Sequence, residues 1–179
     1  MATQKLAASG IECPGFDARL LLAGAMNVEM AQLISMGSEN ISAEVSTRVS
    51  NMIAERTAGK PVHRILGYRE FFGRRFNLGP HSLEPRPETE LLVERILEDF
   101  KRADEVSFLE IGVGSGAIIV SLLCEMPHSH GCGVDISRDA LKDAASNSRL
   151  YNVLEYATFV QSDCFDGISG KFDFIVSNP

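Results

Sequence analysis

The chain has 179 residues, 45% hydrophobic and 23% charged, with a formal net charge of −7, a balance that suits a soluble globular protein of one domain or two small ones. No apolar run approaches the roughly 20 residues needed to cross a bilayer, and Met1-Ala2-Thr3-Gln4-Lys5 lacks the apolar core of a secretory signal. Cys13, Cys124, Cys132 and Cys164 form no CxxC pair, which excludes a disulfide scaffold and predicts buried thiols in a reducing cytoplasm.

The first 60 residues read as short helices. Asp17 is placed to cap a run of Ala18, Leu20, Leu21, Leu22 and Ala25 that ends near Asn27, and Asn27 to cap the next run before a stop at Gly37. Ser42 opens a longer helix in which Val45, Val49, Met52 and Ile53 share one face. Gly59 and Pro61 end it. Residues 1–64 are therefore expected to form an all-α bundle, with no catalytic pattern in it.

Charge is unevenly spread. Between Arg56 and Arg86 seven basic residues face only Glu70 and Glu84, a local +5 that leaves −12 on the rest of the chain. Such a segment suits either steering of a nucleic acid or acidic protein, or a solvated connector. Residues 65–84 cluster Tyr68, Phe71, Phe72 and Phe76 around Gly73 and Gly79, the pattern of a β-hairpin connector. His63 and His81 read as surface or packing residues of this connector. After it, Glu84-Pro85-Arg86-Pro87-Glu88-Thr89-Glu90 stiffens the chain, with Pro87 in the first turn of a helix carrying Leu91, Leu92, Val93, Ile96, Leu97 and Phe100.

Beyond that helix, strand and helix alternate. Strands are expected at about 106–111, 131–135, 157–161 and 172–177, with helices near 115–126 and 138–150, the second capped by Ser137. Continuous apolar strands joined by helices predict a parallel sheet with right-handed crossovers, the first half of a Rossmann-like domain spanning 85–179. The fold class is thus α/β behind a helical bundle and a hairpin.

The chemistry concentrates at strand ends. Gly112, Gly114 and Gly116 lie between a strand and a helix, where residues without Cβ admit positive φ and let a ligand lie against the backbone. Gly112-Val113-Gly114-Ser115-Gly116-Ala117 also fits the dinucleotide pattern, with Asp135 where a ribose-binding acid belongs. Three acids favour S-adenosylmethionine instead. Glu110 would repel a pyrophosphate but welcome a sulfonium or ammonium group. Asp135 can accept both ribose hydroxyls. Asp163 can accept from an adenine amino group, with Cys164 or Phe165 beside the ring. Ser177-Asn178-Pro179 after the last strand adds an amide-gripping side chain at the same sheet end, and the combination points to methyl transfer onto a planar amide or amine nitrogen. His128-Ser129-His130-Gly131-Cys132 sits in a helix-to-strand turn with no fourth ligand nearby, and Ser115 lacks a hydrolase elbow; no metal is expected.

Glu110-Ile-Gly-Val-Gly-Ser-Gly116, Pro85-Arg-Pro-Glu-Thr-Glu90 and Ser177-Asn-Pro179 together resemble the HemK/PrmC family, glutamine-N5 methyltransferases of peptide-chain release factors. The resemblance covers essentially the whole chain. It implies that Gly112, Val113, Gly114, Ser115, Gly116, Asp135, Asp163 and Cys164 hold S-adenosyl-L-methionine, and that Asn178 and Pro179 hold the substrate amide. The Asn178 side-chain oxygen and the Pro179 carbonyl would take its two N–H donors. It further implies a cytoplasmic enzyme whose partner is a release factor, with no requirement for nucleic acid or membrane, monomeric when complete. The family motif continues with a second Pro and a Tyr, so the chain is expected to be part of a protein of roughly 280 residues, inactive alone and with a strand edge open to association. Two alternatives stand beside it: an Asn-Pro-Pro-Tyr-type methyltransferase of nucleic-acid amines, and a nicotinamide-dependent oxidoreductase.

Overall fold

The structure is a computed structural model of the chain, and it describes residues 1–37, 40–80, 82–100 and 105–178. Two compact units divide the chain at Gly67–Tyr68.

The first unit is helical: α1 (Ala2–Ala8), α2 (Pro14–Met26), α3 (Met30–Ser35), α4 (Ala43–Thr57) and α5 (Val62–Leu66). Leu6 of α1, Leu21 and Ala25 of α2, and Met52 and Ile53 of α4 form its core, with Val45 and Val49 packed alongside. Ser42 accepts from the Val45 amide, as its position predicts. Two expected caps are corrected. Asp17 does not start α2, because Pro14 at the first helical position moves the cap back to Cys13. The Asp17 carboxylate is instead buried and bonded by Arg56 Nε at 2.7 Å. Asn27 ends α2 in the left-handed conformation (φ 55°, ψ 46°), and α3 is opened by Glu29, whose capping box with Gln32 satisfies two helix-end donors. Helix α5 is a further difference: the expected boundary at residue 64 falls inside it.

The second unit starts with a hairpin, β1 (Tyr68–Phe71) and β2 (Arg74–Asn77), paired antiparallel. A 3₁₀ turn (Pro87–Thr89) leads into α6 (Glu90–Phe100). Then follow β3 (Ser107–Ile111), α7 (Ala117–Glu125), β4 (His130–Asp135), α8 (Arg138–Leu150), β5 (Ala157–Gln161) and β6 (Phe174–Ser177). The four later strands form a parallel sheet in the order β5-β4-β3-β6. Phe108, Ile119, Val120, Leu122 and Val93 are fully buried in its core, and Phe174 stacks on Phe108 with ring centroids 5.0 Å apart.

The hairpin belongs to this unit because its aromatics join the same core. Phe71 and Phe76 are buried and meet edge to face, and Phe76 also packs on Tyr151 of α8. Helix α8 then satisfies the backbone of β2 with side chains. The Tyr151 hydroxyl accepts from Arg75 N and donates to Arg75 O, both at 2.7 Å. Asn147 accepts from Asn77 N and donates to Asn77 O, each at 3.0 Å, and Asp143 accepts from Gly79 N. A Cβ on Gly79 would lie 2.1 Å from the Asp143 carboxylate, so a side chain there would displace that carboxylate from its hydrogen bond.

Asn147 is 0% exposed and its Nδ2 also donates to Ser115 O at 2.9 Å. Asn147→Ala strands three backbone groups at once, and we expect a loss of about 2–4 kcal/mol in urea unfolding, beyond a usual single hydrogen bond. A change below about 0.5 kcal/mol, the range of neutral surface substitutions, would show that these bonds do not hold the hairpin to the sheet.

Candidate functional site

Strand register brings the candidate residues together. Ile111 at the end of β3 lies opposite Val134 of β4 and Ser177 of β6, and Asp135 lies opposite Gln161 of β5. Gly112, Asp163 and Asn178 therefore follow β3, β5 and β6, and Asp135 ends β4, all at one edge of the sheet. Ligands of open parallel sheets bind at this edge.

The glycine loop is bent by positive φ at Gly112 (74°), Gly114 (53°) and Gly116 (79°). At Gly112 a Cβ would meet nothing within 4 Å, so conformation, not crowding, calls for glycine, and the backbone there is open to a ligand. At Gly116 a Cβ would come within 3.0 Å of Ala144 on α8. Gly112 N and Val113 N both donate to Val134 O at 2.9 Å, tying the loop to β4. Ser115 is buried, and its carbonyl accepts from Asn147.

Asp135 does more than its sequence position suggests. Its Oδ2 accepts from Gly114 N and its Oδ1 from Ser137 N, each at 2.9 Å. One carboxylate thus pins the glycine loop to the start of α8. Each oxygen retains a further lone pair, so acceptance of ribose hydroxyls remains open to it. Ile136, the next residue, is 70% exposed.

Glu110 is enclosed at the end of β3. It is 2% exposed, and its Oε2 accepts from Ile119 N, the third amide of α7, at 2.8 Å. Gly116 is the N-cap of α7 and has no side chain to offer, so Glu110 satisfies an orphan donor of the helix start. Burial pushes its carboxyl well above the ordinary carboxylate range. The Ile119 hydrogen bond opposes that shift, and the nearby Asp135 charge adds to it. The carboxylate awaiting a cation is thus a buried helix cap.

Asp163 and Cys164 lie exposed in the turn after β5, with Phe165 beside them. Cys164 has φ 51°, and the Asp163 carboxylate next to it raises its thiol pKa. The turn is held from beneath by Ser162, whose amide donates to Asp135 O and whose hydroxyl bonds the carbonyls of Cys164 and Asp166.

Asn178 follows β6, whose Ser177 hydroxyl donates to Ile111 O at 2.9 Å. Its Nδ2 donates to the hydroxyl of Thr89, and both residues line a cleft with Arg86, Glu88 and Leu92. Thr89 received no site role from the sequence. The only signal was its place in the Pro-Arg-Pro-Glu-Thr-Glu stretch. Pro179 and His81 lie outside the described residues.

Basic residues of the Arg56–Arg86 segment are engaged in ion pairs. Arg56 pairs with Asp17, Lys60 with Glu55, Arg69 with Glu84, Arg74 with Glu125 and Arg75 with Glu70. Arg75 also lies over the Tyr68 ring. Three of these acids, Asp17, Glu55 and Glu125, come from outside the segment and offset part of its local +5.

Residues 1–67 match the PrmC N-terminal domain and residues 87–179 the methyltransferase small domain. The release factor glutamine methyltransferase of Agrobacterium fabrum is 40% identical over 182 residues, covering 99% of this chain and 63% of its own. That of Cereibacter sphaeroides is 40% identical over 179 residues, with the same coverages. The chain thus spans less than two thirds of the length of these relatives. Among solved structures, the ribosomal protein L11 methylase of Lactobacillus delbrueckii subsp. bulgaricus superposes with a TM-score of 0.50 at 21% identity, covering 63% of this chain and 57% of that one, a likeness of fold. The HemK/PrmC resemblance carried by the sequence motifs thus holds at both ends of the chain, which belongs to the methyltransferase small-domain family and carries a PrmC N-terminal domain ahead of it.

Proposed function

We propose that this protein transfers a methyl group from S-adenosyl-L-methionine to the side-chain amide nitrogen of the glutamine in the Gly-Gly-Gln motif of peptide-chain release factors. The observation that carries it is the common edge: an open glycine loop, Asp135 and Asp163 at three strand ends, and an anchored Asn178 at the fourth. The names of the relatives supply the substrate class. The location that follows is the cytoplasm, and the complete protein acts as a monomer on its protein partner.

The residues fit the methyl donor. Gly112 leaves its backbone open where a side chain would project, Asp135 keeps acceptor capacity for ribose hydroxyls, and Asp163 with Cys164 and exposed Ile136 and Phe165 would receive the adenine. Bound there, S-adenosylmethionine supplies an electrophilic methyl group. The protein's task is the nucleophile. A glutamine amide nitrogen is weak because its lone pair is delocalised into the carbonyl. Asn178 Oδ1 accepts one of its N–H groups, aims the nitrogen along the transfer line and favours the positive charge that develops there. Pro179 would offer its carbonyl to the second N–H.

Nucleic-acid amines are a weaker substrate class, because Arg56, Arg69 and Arg74 are engaged by carboxylates instead of being left free for phosphates. A nicotinamide dinucleotide is disfavoured for a reason different from simple repulsion. Glu110 already occupies an amide at the start of α7, where a pyrophosphate would need free donors.

Three outcomes test these roles. Asp135→Ala should weaken S-adenosylmethionine binding by about 1–3 kcal/mol in calorimetry, and the loss should vanish for an analogue lacking both ribose hydroxyls. An equal loss for that analogue would reduce Asp135 to a loop tether. For Glu110, the folded state binds a proton more tightly than the unfolded chain does. Stability is therefore highest below the ordinary carboxylate pKa and falls as pH rises towards the raised one, at up to about 1.4 kcal/mol per pH unit. The difference between wild-type and Glu110→Gln urea-unfolding curves across pH should carry this slope, and a flat difference would place the Glu110 carboxyl in solvent. Deleting residues 1–67 should leave donor binding intact and abolish methylation of intact release factor, since no donor-binding residue lies in that unit. Loss of both together would make the helical unit a structural support.

A further inference from the structure

We propose that Thr89 is a positioning residue for Asn178, fixing where its carboxamide stands in the cleft. This rests on the amide-nitrogen methyl transfer proposed above and assigns a task to the Pro-Arg-Pro-Glu-Thr-Glu segment. The two ends of a carboxamide are nearly the same shape and opposite in hydrogen-bonding sense: the oxygen only accepts, the NH₂ only donates. The terminal torsion of an asparagine is broad and roughly two-fold, so rotamer preference alone does not choose between them. A hydrogen-bond partner narrows that torsion. Thr89 Oγ1 accepts from Asn178 Nδ2, and among the described residues nothing donates to Asn178 Oδ1. In this arrangement the oxygen is the free end, and because the Thr89 hydroxyl can donate as well as accept, it is the N–H of the incoming amide that keeps the oxygen turned towards it. Were the carboxamide turned over, its NH₂ would oppose the substrate NH₂, and donor would face donor.

Thr89 is suited to hold Asn178 in place because it is itself held. It is 8% exposed and closes the 3₁₀ turn that begins at Pro87, with its amide donating to Arg86 O at 3.0 Å. The proline ring fixes one torsion of that turn, and the β-branched side chain restricts χ1. The next residue, Glu90, accepts from Phe72 N at 3.0 Å, anchoring the turn to the hairpin. The Thr89–Asn178 bond lies in the wall of the cleft, between residues 89 positions apart in sequence. A bond there governs a surface that substrate reaches.

The test uses Thr89→Val, which keeps the shape and removes the hydroxyl, and Thr89→Ser, which restores it. In the full-length protein, with release factor and labelled S-adenosylmethionine, Thr89→Val should lower kcat about 10–100-fold, the scale of a misoriented reacting group. KM and donor affinity should move less than about threefold, since the loss falls on the transfer step. Thr89→Ser should recover most of the rate. In an Asn178→Ala background Thr89→Val should add nothing, because its effect passes through Asn178. Without ligand, the Asn178 side-chain NH₂ resonances should shift in Thr89→Val and return in Thr89→Ser. Full activity of Thr89→Val beside an impaired Asn178→Ala would overturn the Thr89 role and leave the proposed function standing. A full multiplicative loss in the double variant would do the same. Full activity of Asn178→Ala would overturn the amide-holding site and the Thr89 role with it.

Discussion

The parallel register of β3 between β4 and β6 is the constraint from which the site follows. Pairing of Ile111 with Val134 on one side and Ser177 on the other sets the strand ends level. Whatever follows each strand is then delivered to one edge: glycines after β3, Asp135 at the end of β4, Asn178 after β6. A slip of one residue would turn every side chain of the slipped strand to the opposite face. The buried residues oppose that slip, since Phe108 and Phe174 stack only in the observed register. The hydrophobic core and the geometry of the site are therefore set by the same pairing.

Loops at such an edge are not rigid by themselves, and here polar side chains replace what a longer core would provide. Asp135 joins the glycine loop to the start of α8. Glu110 occupies an amide of α7 from the strand side. Asn147 reaches from α8 to Ser115 in the glycine loop and to Asn77 in the hairpin. Glu110 and Asn147 are buried and Asp135 partly so, and away from water an unmet hydrogen bond is costly and a met one defines a single arrangement. Helix α8 thus couples the hairpin to the cofactor loop through one asparagine, an arrangement that a packing argument alone would miss.

Much of this was legible in the sequence because it depends on local pattern. Continuous apolar strands, the positive-φ glycines and the Ser42 and Ser137 caps are signals carried within a few residues, and they appear where expected. The misread residues are those whose partners lie far along the chain. Asp17 looks like a cap until Arg56 claims it 39 positions away. Glu110 looks like an open carboxylate until α7 folds over it. The basic segment reads as a patch or as a connector, and only the fold shows Asp17 and Glu125 reaching Arg56 and Arg74 from other elements. For polar side chains, sequence shows which groups can bond and leaves open which ones meet.

The Pro-Arg-Pro-Glu-Thr-Glu segment shows how such a distant meeting can lie behind a local motif. Its prolines stiffen the approach, but two of its side chains explain why the stiffness matters. Thr89 meets Asn178 after β6, and Glu90 meets the Phe72 amide in the hairpin turn. Phe72 has φ 49°, a conformation unfavourable for a bulky residue, and the Glu90 bond helps hold it there. One short rigid segment thus bridges the hairpin and the last strand of the sheet. A flexible linker of the same length would lose this, since ordering it would offset much of what two hydrogen bonds return. The prolines reduce that ordering cost in advance, which leaves the two hydrogen bonds free to set position.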